Sequence, residues 1–404
     1  MKGKQKFDWA SGIQFAGSLF MVLLLGGISL GGIGVVAVSS GSLSVPVPAV
    51  QRTTLILFFS SLGFVGILLL PSMIYAAKSL FGLSTGEENT WRGADWLIAL
   101  YPILLGVGYL AEWETGGGRF LLVLAHVLAN GIAVFWILHL SQKGLPEGSP
   151  QRFWGAFGSG LTLAPALVLL VELLLLVLIG GLWYVYLLEH PALRAQVSRL
   201  MERLPQSAAS PVILERMASK YLFLPGFVAS VFTYVAVLIP LVEELIKPLG
   251  VWLLIKKKIT PAQGYKWGMV SGAGYALFEN LVLSANAGTW TIAMISRFGT
   301  TAVHMLTAAY VGWGLASSWA KGNFMRLAKA FFVSVLFHGV WNGLNILSAL
   351  GQFSGAREFF GPFGYGAAQI APVGIFLLAL GAIYGLIRSR RVIGLSVTSN
   401  VENE

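Results

Sequence analysis

The sequence contains no cysteine, and charged residues occupy only 11% of its 404 positions. The absence of cysteine excludes disulfides and thiolate chemistry. The scarcity of charge excludes an ordinary soluble domain, in which about a quarter of the residues are charged. Hydrophobic residues account for 56% of the chain, and the mean hydropathy is +0.76. These values predict an all-α, polytopic transmembrane protein.

Apolar stretches of the length that a helix needs to cross a bilayer, about 20 residues, recur along the chain. They lie near residues 13–38, 53–80, 94–111, 120–140, 165–188, 223–255, 265–286, 298–320, 328–350 and 365–387. We therefore expect a helical bundle of about ten spans.

One long connection, residues 189–222, separates the fifth and sixth of these spans. It carries apolar residues at helical spacing, including Leu193, Val197 and Leu200, and a helix start at Ser210-Pro211. This pattern predicts short interfacial helices in one long outer loop.

Basic residues are distributed unevenly between the two sides of these spans. Seventeen of the 27 Lys and Arg residues fall on the side of both termini, nine fall on the other side, and Lys247 lies within a span. The positive-inside rule therefore predicts that both termini are cytoplasmic. The net charge of +10 is explained by this topology and by anionic lipid, so we expect the lipid bilayer as a partner and no nucleic acid. The first apolar run is too long for a signal peptide, which predicts a retained helix.

Three ionisable residues, Glu243, Glu244 and Lys247, lie in the middle of an apolar stretch. On insertion scales each charged residue at a helix centre costs about 2.5–3.5 kcal/mol, or about 8–10 kcal/mol for three, unless the residues face a polar interior. Such residues are functional by default. The alternative is a Glu243/Lys247 pair, one turn apart, that fixes helix packing.

Two prolines, Pro240 and Pro248, flank the glutamates. Because proline has no N–H, carbonyl groups near Ala236 and Glu244 are released from the helix. A bilayer tolerates released carbonyls only beside protein or trapped water. The stretch therefore predicts a polar cavity at this depth.

Polar residues recur at helical spacing in the three spans that follow. In the seventh span, a ridge of small residues predicts close helix contact, and a polar stripe runs beside it. The ridge consists of Gly264, Gly268, Gly272 and Ala276, and the stripe of Ser271, Tyr275 and Glu279. At 1.5 Å per residue, the candidate side chains of four successive spans lie about 14–25 Å from the cytoplasmic ends. We expect one cavity to contain Glu243 or Glu244, Glu279, His304, His338 and Asn342.

Other polar residues in the spans predict packing or exclude familiar sites. His126 and Asn130 repeat the His-x-x-x-Asn spacing without an acidic companion, so we expect them to serve packing or to line the cavity. Glu172 stands alone in the fifth span and predicts a helix contact. The chain has no His-Glu-x-x-His motif, which excludes a zincin-like site.

Taken together, the motifs resemble the PrsW family of intramembrane proteases. They are Glu243-Glu244-x-x-Lys247, Phe278-Glu279-Asn280, His304 and His338-x-x-Trp341-Asn342. The set is also similar to the wider CAAX-protease and bacteriocin-processing group, in which two glutamates are followed by an arginine, then Phe-x-x-x-His and His-x-x-x-Asn. Lys247 replaces that arginine, and Glu279 replaces the first histidine.

The resemblance covers about residues 223–350, which would form the catalytic transmembrane core. It implies a location in a bacterial plasma membrane and a membrane-protein substrate with a single span. An unmatched transmembrane region, 1–188, and the linker 189–222 would precede the core. A final span and a basic cytoplasmic tail, 351–404, would follow it.

The resemblance implies hydrolysis of an amide bond within the membrane. Glu243 or Glu244 would activate water, and His338 and Asn342 would donate hydrogen bonds to the oxyanion. A histidine or Glu279 would protonate the leaving amine. We favour Glu243 as the base and Glu244 as an anchor. Lys247 and Asn280 are supporting residues in this hypothesis.

Whether the expected site needs a metal ion is a question of charge, because three glutamates and one lysine leave a formal charge of −2 in a buried site. Protonation, a protonated histidine or a cation must neutralise it. A zinc ion held by His304, His338 and Glu279 would do so, while a metal-independent mechanism is the alternative. A proton-coupled transporter and a non-catalytic membrane scaffold are the rival functions.

Overall fold

The computed structural model describes residues 8–42, 48–86, 94–113, 118–207, 219, 221–255, 257–286 and 288–401. The described residues are 88% helical and contain no strand. The expected all-α class is therefore confirmed.

Fifteen α-helices are present in these described ranges. They are α1 (Trp9–Ser42), α2 (Ala49–Leu68), α3 (Leu70–Leu80), α4 (Leu100–Trp113), α5 (Arg119–Gln142), α6 (Pro150–Gly158), α7 (Ala164–Glu189), α8 (Pro191–Ser207), α9 (Pro225–Thr233), α10 (Ile239–Ile246), α11 (Leu249–Trp252), α12 (Pro261–Leu283), α13 (Trp290–Lys321), α14 (Met325–Leu350) and α15 (Ala356–Val401). A 3₁₀ turn, Ala94–Ala99, precedes α4. Two π-helical segments, Ser159–Leu163 and Tyr234–Leu238, continue α6 and α9.

Eight helical segments of the described chain are long and apolar enough to cross a membrane, which makes this an integral multi-pass membrane protein. They are Trp9–Val38, Ala49–Leu80, Ala94–Glu112, Arg119–Gln142, Pro150–Glu189, Pro225–Trp252, Met325–Leu350 and Ala356–Arg391. The expected number of about ten also counted α12 and α13. These two helices have 23 and 32 residues but do not meet the same threshold of hydropathy and charge.

Helix ends follow local sequence signals. α12 begins with a capping box, in which Thr260 Oγ1 accepts from the Gln263 N–H at 3.2 Å and Gln263 Oε1 accepts from the Thr260 N–H at 3.0 Å. α13 ends at Gly322, whose φ of 66° is left-handed and favours glycine. In α15, Gly361 has non-helical backbone angles before Pro362, so the element is kinked there.

The chain divides into two compact units. The first consists of Met1–Ala166, Ile246–Ser334 and Ala379–Glu404. Within it, α12 and α13 pack together along the predicted small-residue ridge. A Cβ at Gly264 would lie 2.5 Å from the carbonyl oxygen of Gly312, and a Cβ at Gly272 would lie 2.7 Å from that of His304. The ridge therefore brings the two backbones into direct contact, as the sequence predicts.

The second unit consists of Leu167–Leu245 and Val335–Leu378. Within it, the Trp183 indole N–H donates to Ser230 Oγ at 3.1 Å, which joins α7 to α9. The helix predicted in the long connection is present as α8, with half-buried apolar residues at helical spacing. The second expected helix start, at Ser210-Pro211, lies outside the described residues.

Candidate active site

In the second unit, His338 lies between two buried carboxylates. Its Nδ1 is 2.9 Å from Oε1 of Glu244, and its Nε2 is 3.9 Å from Oε2 of Glu243. Glu244 is 0% exposed, Glu243 is 6% exposed and His338 is 2% exposed. An ionised carboxylate only accepts hydrogen bonds, so Nδ1–H donates to Glu244 and Nε2 faces Glu243.

Glu243 and Glu244 contact His338 differently because they are adjacent residues of one helix, α10. Adjacent helical residues point about 100° apart, so Glu243 and Glu244 approach His338 from different directions. Glu244 makes the direct contact with the ring, whereas the Glu243 carboxylate lies beyond hydrogen-bonding distance of Nε2. The sequence prediction that one glutamate contacts a histidine on another helix agrees with this geometry.

Asn342, one turn after His338, contacts the backbone. Its Nδ2 donates to the carbonyl oxygen of Val235 at 2.9 Å. In a π-helical segment that carbonyl would accept from the residue five positions later, which is Pro240 and has no N–H. Asn342 supplies the missing donor. The released carbonyl predicted near Ala236 is thus found at Val235, because the π turn shifts the pairing by one residue.

This contact changes the interpretation of Asn342. The sequence predicts that this amide donates to an oxyanion, whereas in the structure it donates to the backbone at the α9–α10 junction. Gly339 makes the approach possible, because a Cβ there would lie 2.5 Å from the carbonyl oxygen of Ala236. Asn342 therefore holds the segment that leads into Glu243 and Glu244.

In the first unit, four polar side chains form a continuous chain. Lys247 Nζ lies 2.5 Å from Nδ1 of His304, and Nε2 of His304 lies 2.6 Å from Oε2 of Glu279. The other oxygen of Glu279 is 2.6 Å from Nη1 of Arg297. The lysine ammonium can only donate, so Nδ1 accepts from it and Nε2 faces the Glu279 carboxylate.

The predicted polar stripe on α12 contributes Glu279 to this chain of polar side chains, and Tyr275 of the same stripe packs against it. The ring of Tyr275 packs edge-on against His304, with centroids 5.4 Å apart, and the Lys247 ammonium lies 5.1 Å from the centre of the same ring. Next to Glu279, Asn280 donates to Thr301 Oγ1 at 2.8 Å. The stripe therefore holds the lysine and the histidine from one side and ties α12 to α13.

Arg297 is the residue of this chain that sequence reasoning missed, because it was counted among the cations outside the spans. Its spacing contained the signal: Arg297 precedes His304 by seven residues, which is two turns along one face of a helix. Pairing with Arg297 neutralises Glu279. Adding Arg297 to the three glutamates and one lysine of the sequence prediction changes their summed formal charge from −2 to −1.

His126 and Asn130, which repeat the His-x-x-x-Asn spacing, serve packing in the first unit. His126 Nε2 lies 2.9 Å from the carbonyl oxygen of Leu281, and its Nδ1 accepts from the Trp290 indole at 3.1 Å. Asn130 donates to the carbonyl oxygen of His126 at 2.9 Å. Glu172 makes a helix contact through its backbone: its carbonyl oxygen accepts from the Tyr234 hydroxyl at 3.0 Å.

The fold and these clusters define a class: a multi-pass helical membrane protein with buried glutamates, histidines and a lysine on its helices. Residues 206–371 match the family model described as PrsW family intramembrane metalloprotease. The match confirms the resemblance seen in the motifs and extends it to residues 206–371. No curated protein and no solved structure matches the chain.

Proposed function

We propose that the chain is an intramembrane endopeptidase that hydrolyses a peptide bond of a membrane-protein substrate with glutamate-activated water. The observation that carries the proposal is the buried histidine with a carboxylate facing each ring nitrogen. A carboxylate that orients a histidine next to a second proton acceptor is a recurring arrangement in hydrolytic sites. The family match over residues 206–371 supports the same reaction.

In this proposal Glu243 is the base. It takes one proton from water, and the resulting hydroxide forms a bond to the carbonyl carbon of the substrate. The tetrahedral intermediate collapses with cleavage of the C–N bond, and Glu243 returns its proton to the leaving amine. In the metal-free form of this mechanism, Glu244 keeps the His338 ring oriented and a protonated Nε2 donates to the oxyanion. Asn342 acts through the backbone that it holds.

We propose that the chain of Lys247, His304, Glu279 and Arg297 in the first unit also takes part in the reaction. Because Lys247 donates to Nδ1 of His304, the imidazole is polarised toward giving up the proton on Nε2. Glu279 is held by Arg297 and by His304 and therefore serves to orient the ring. The succession of Glu243, Glu244 and Lys247 along five residues favours a role for both clusters in the reaction.

The family description implies a metal, and the donors fit one. His338 gives Nδ1–H to Glu244, which is the usual arrangement behind a metal-binding histidine and leaves Nε2 to face Glu243. Glu243 and His338 are both buried in the second unit, and we propose that they are ligands of a zinc ion. A bound zinc ion acidifies water and polarises a carbonyl. A carboxylate has two oxygens, so Glu243 can bind the ion and still accept a proton.

This ligand set differs from the predicted His304, His338 and Glu279. Both oxygens of Glu279 are engaged, one by Arg297 and the other by His304. The carboxylate closest to His338 Nε2 in the second unit belongs to Glu243. We therefore propose Glu243 in place of Glu279 as the acidic ligand.

The experiment that tests the proposed function compares glutamate variants in liposomes that contain a panel of single-span substrates. Glu243→Gln should keep substrate binding and lose cleavage, measured by mass spectrometry of the products. Glu172→Gln is the matched control, because Glu172 lies half-buried in a span and outside the site. If the wild type cleaved no substrate but carried a proton-coupled flux that Glu243→Gln lost, the protein would be a transporter. Binding without cleavage in every variant, the wild type included, would indicate a scaffold.

We further propose a bacterial plasma membrane location, cytoplasmic termini and a single-span substrate. The distribution of basic residues supports the orientation, and the burial of the glutamates supports a substrate that enters as a helix. Reporter fusions at both ends of the chain would test the orientation. An active external reporter at either terminus would contradict it.

A further inference from the structure

The helices that precede the family match pack directly on a helix of the proposed site. In the first unit, the π-helical segment Ser159–Leu163 lies against α12. A Cβ at Gly160 would overlap the carbonyl oxygen of Ser271, and a Cβ at Gly274 would overlap that of Phe157. Backbone contact on both sides of the interface sets the position of α12 to within the size of a methyl group.

Ser271 connects this interface to the helix break after the glutamates. It is fully buried, and its hydroxyl donates to the carbonyl oxygen of Lys247 at 2.6 Å and accepts from the Gly250 N–H at 3.2 Å. Between those residues Pro248 interrupts the helix and supplies no N–H. Ser271 thus satisfies one backbone group on each side of the break.

The same contact includes the start of α11. A Cβ at Gly250 would lie 2.8 Å from the Cβ of Ala156 and 3.3 Å from that of Ser271. Ala156 belongs to α6, so residues of the N-terminal region touch both the helix break and the serine that bridges it. With its backbone held in this way, Lys247 reaches Nδ1 of His304 at 2.5 Å.

We propose that Gly160 and Ser271 are positioning residues for Lys247. The N-terminal helices are then a working part of the catalytic core, although the family match begins at residue 206. The expected effect on kcat rests on the proposed function. The contact between Lys247 and His304 exists whether or not the protein is a protease, so it can be measured separately.

The kinetic arm uses Gly160→Ala, Ser271→Ala and the double variant in the full-length protein. Misplacing a catalytic group by about 1 Å can cost a hundredfold, so each single variant should lower kcat by roughly tenfold to a hundredfold with KM within about twofold. The double variant should fall no further than the more severe single variant, because both act through one contact. Gly131→Ala is the matched control: it lies in a helix of the same unit, and a Cβ there meets nothing within 4 Å.

The spectroscopic arm uses the protein labelled with ¹⁵N-histidine. The Nδ1 resonance of His304 reports its contact with Lys247, and Lys247→Met provides the reference without that contact. Both positioning variants should move the resonance toward the reference, while Gly131→Ala should leave it unchanged. An unmoved resonance in folded Gly160→Ala and Ser271→Ala protein would overturn the proposal even if activity falls. A moved resonance in a protein without protease activity would keep the positioning role and reject the proposed function.

Discussion

Replacing Arg297 with methionine removes one partner of the ion pair with Glu279 while keeping a side chain of similar length. The two charged atoms are 2.6 Å apart, and the side chains are 21% and 19% exposed. Removing one partner of a buried pair costs about 3–5 kcal/mol, because the other charge stays buried without compensation. Partial exposure lowers this cost, so we expect the free energy of unfolding to fall by about 2–4 kcal/mol.

The size of this effect should depend on Glu279. In the double variant Arg297→Met/Glu279→Gln, neither charge remains, and an amide oxygen can still accept from His304 Nε2. We therefore expect the double variant to be more stable than Arg297→Met alone, with a coupling free energy of about 1–3 kcal/mol. A simple loss of packing at Arg297 would not produce this recovery.

Chemical unfolding in mixed micelles, followed by tryptophan fluorescence, measures these free energies. Arg357→Met is the control, because Arg357 is exposed, and its variant should stay within about 0.5 kcal/mol of the wild type. If Arg297→Met were as stable as the wild type, the ion pair would not be part of the buried chain and the reasoning would be refuted.

Three further predictions concern the glutamates, the asparagine and the metal. Glu243→Gln should fold normally and lose cleavage, whereas Glu244→Gln should lose stability as well; a folded Glu243→Gln protein with near-normal cleavage would reverse the two roles. Asn342→Leu should lower the free energy of unfolding by about 1–3 kcal/mol, because the half-buried carbonyl of Val235 loses its donor. Asn345→Leu should cost less, since its amide bonds within its own helix at 2.8 Å. Purified protein should contain about one zinc ion by elemental analysis, and His338→Ala should remove it; equal zinc content in both proteins would exclude this ligand set.

Much of the architecture could be predicted from the sequence because it depends on local chemistry. Scarce charge and long apolar runs require helices in a bilayer, where every backbone group must be satisfied within its own segment. The glycines of α12 predicted close packing, and its stripe of Ser271, Tyr275 and Glu279 lies where helical periodicity put it. The prolines around the glutamates predicted released carbonyls, and one of them is the carbonyl that Asn342 satisfies.

The partners of the site residues could not be derived in this way. Periodicity says which residues share a face of one helix, but not how that helix is rotated and shifted against the next. The contact between Glu244 and His338 and the pairing of Glu279 with Arg297 depend on such shifts. Because of a single π turn, the released carbonyl belongs to Val235 and not to Ala236, and Asn342 donates to it. The sequence alone determined the helices, their polar faces and the ionisable residues on them. The tertiary structure decided which carboxylate meets which histidine, because rotation and shift are set by packing between residues far apart in the chain.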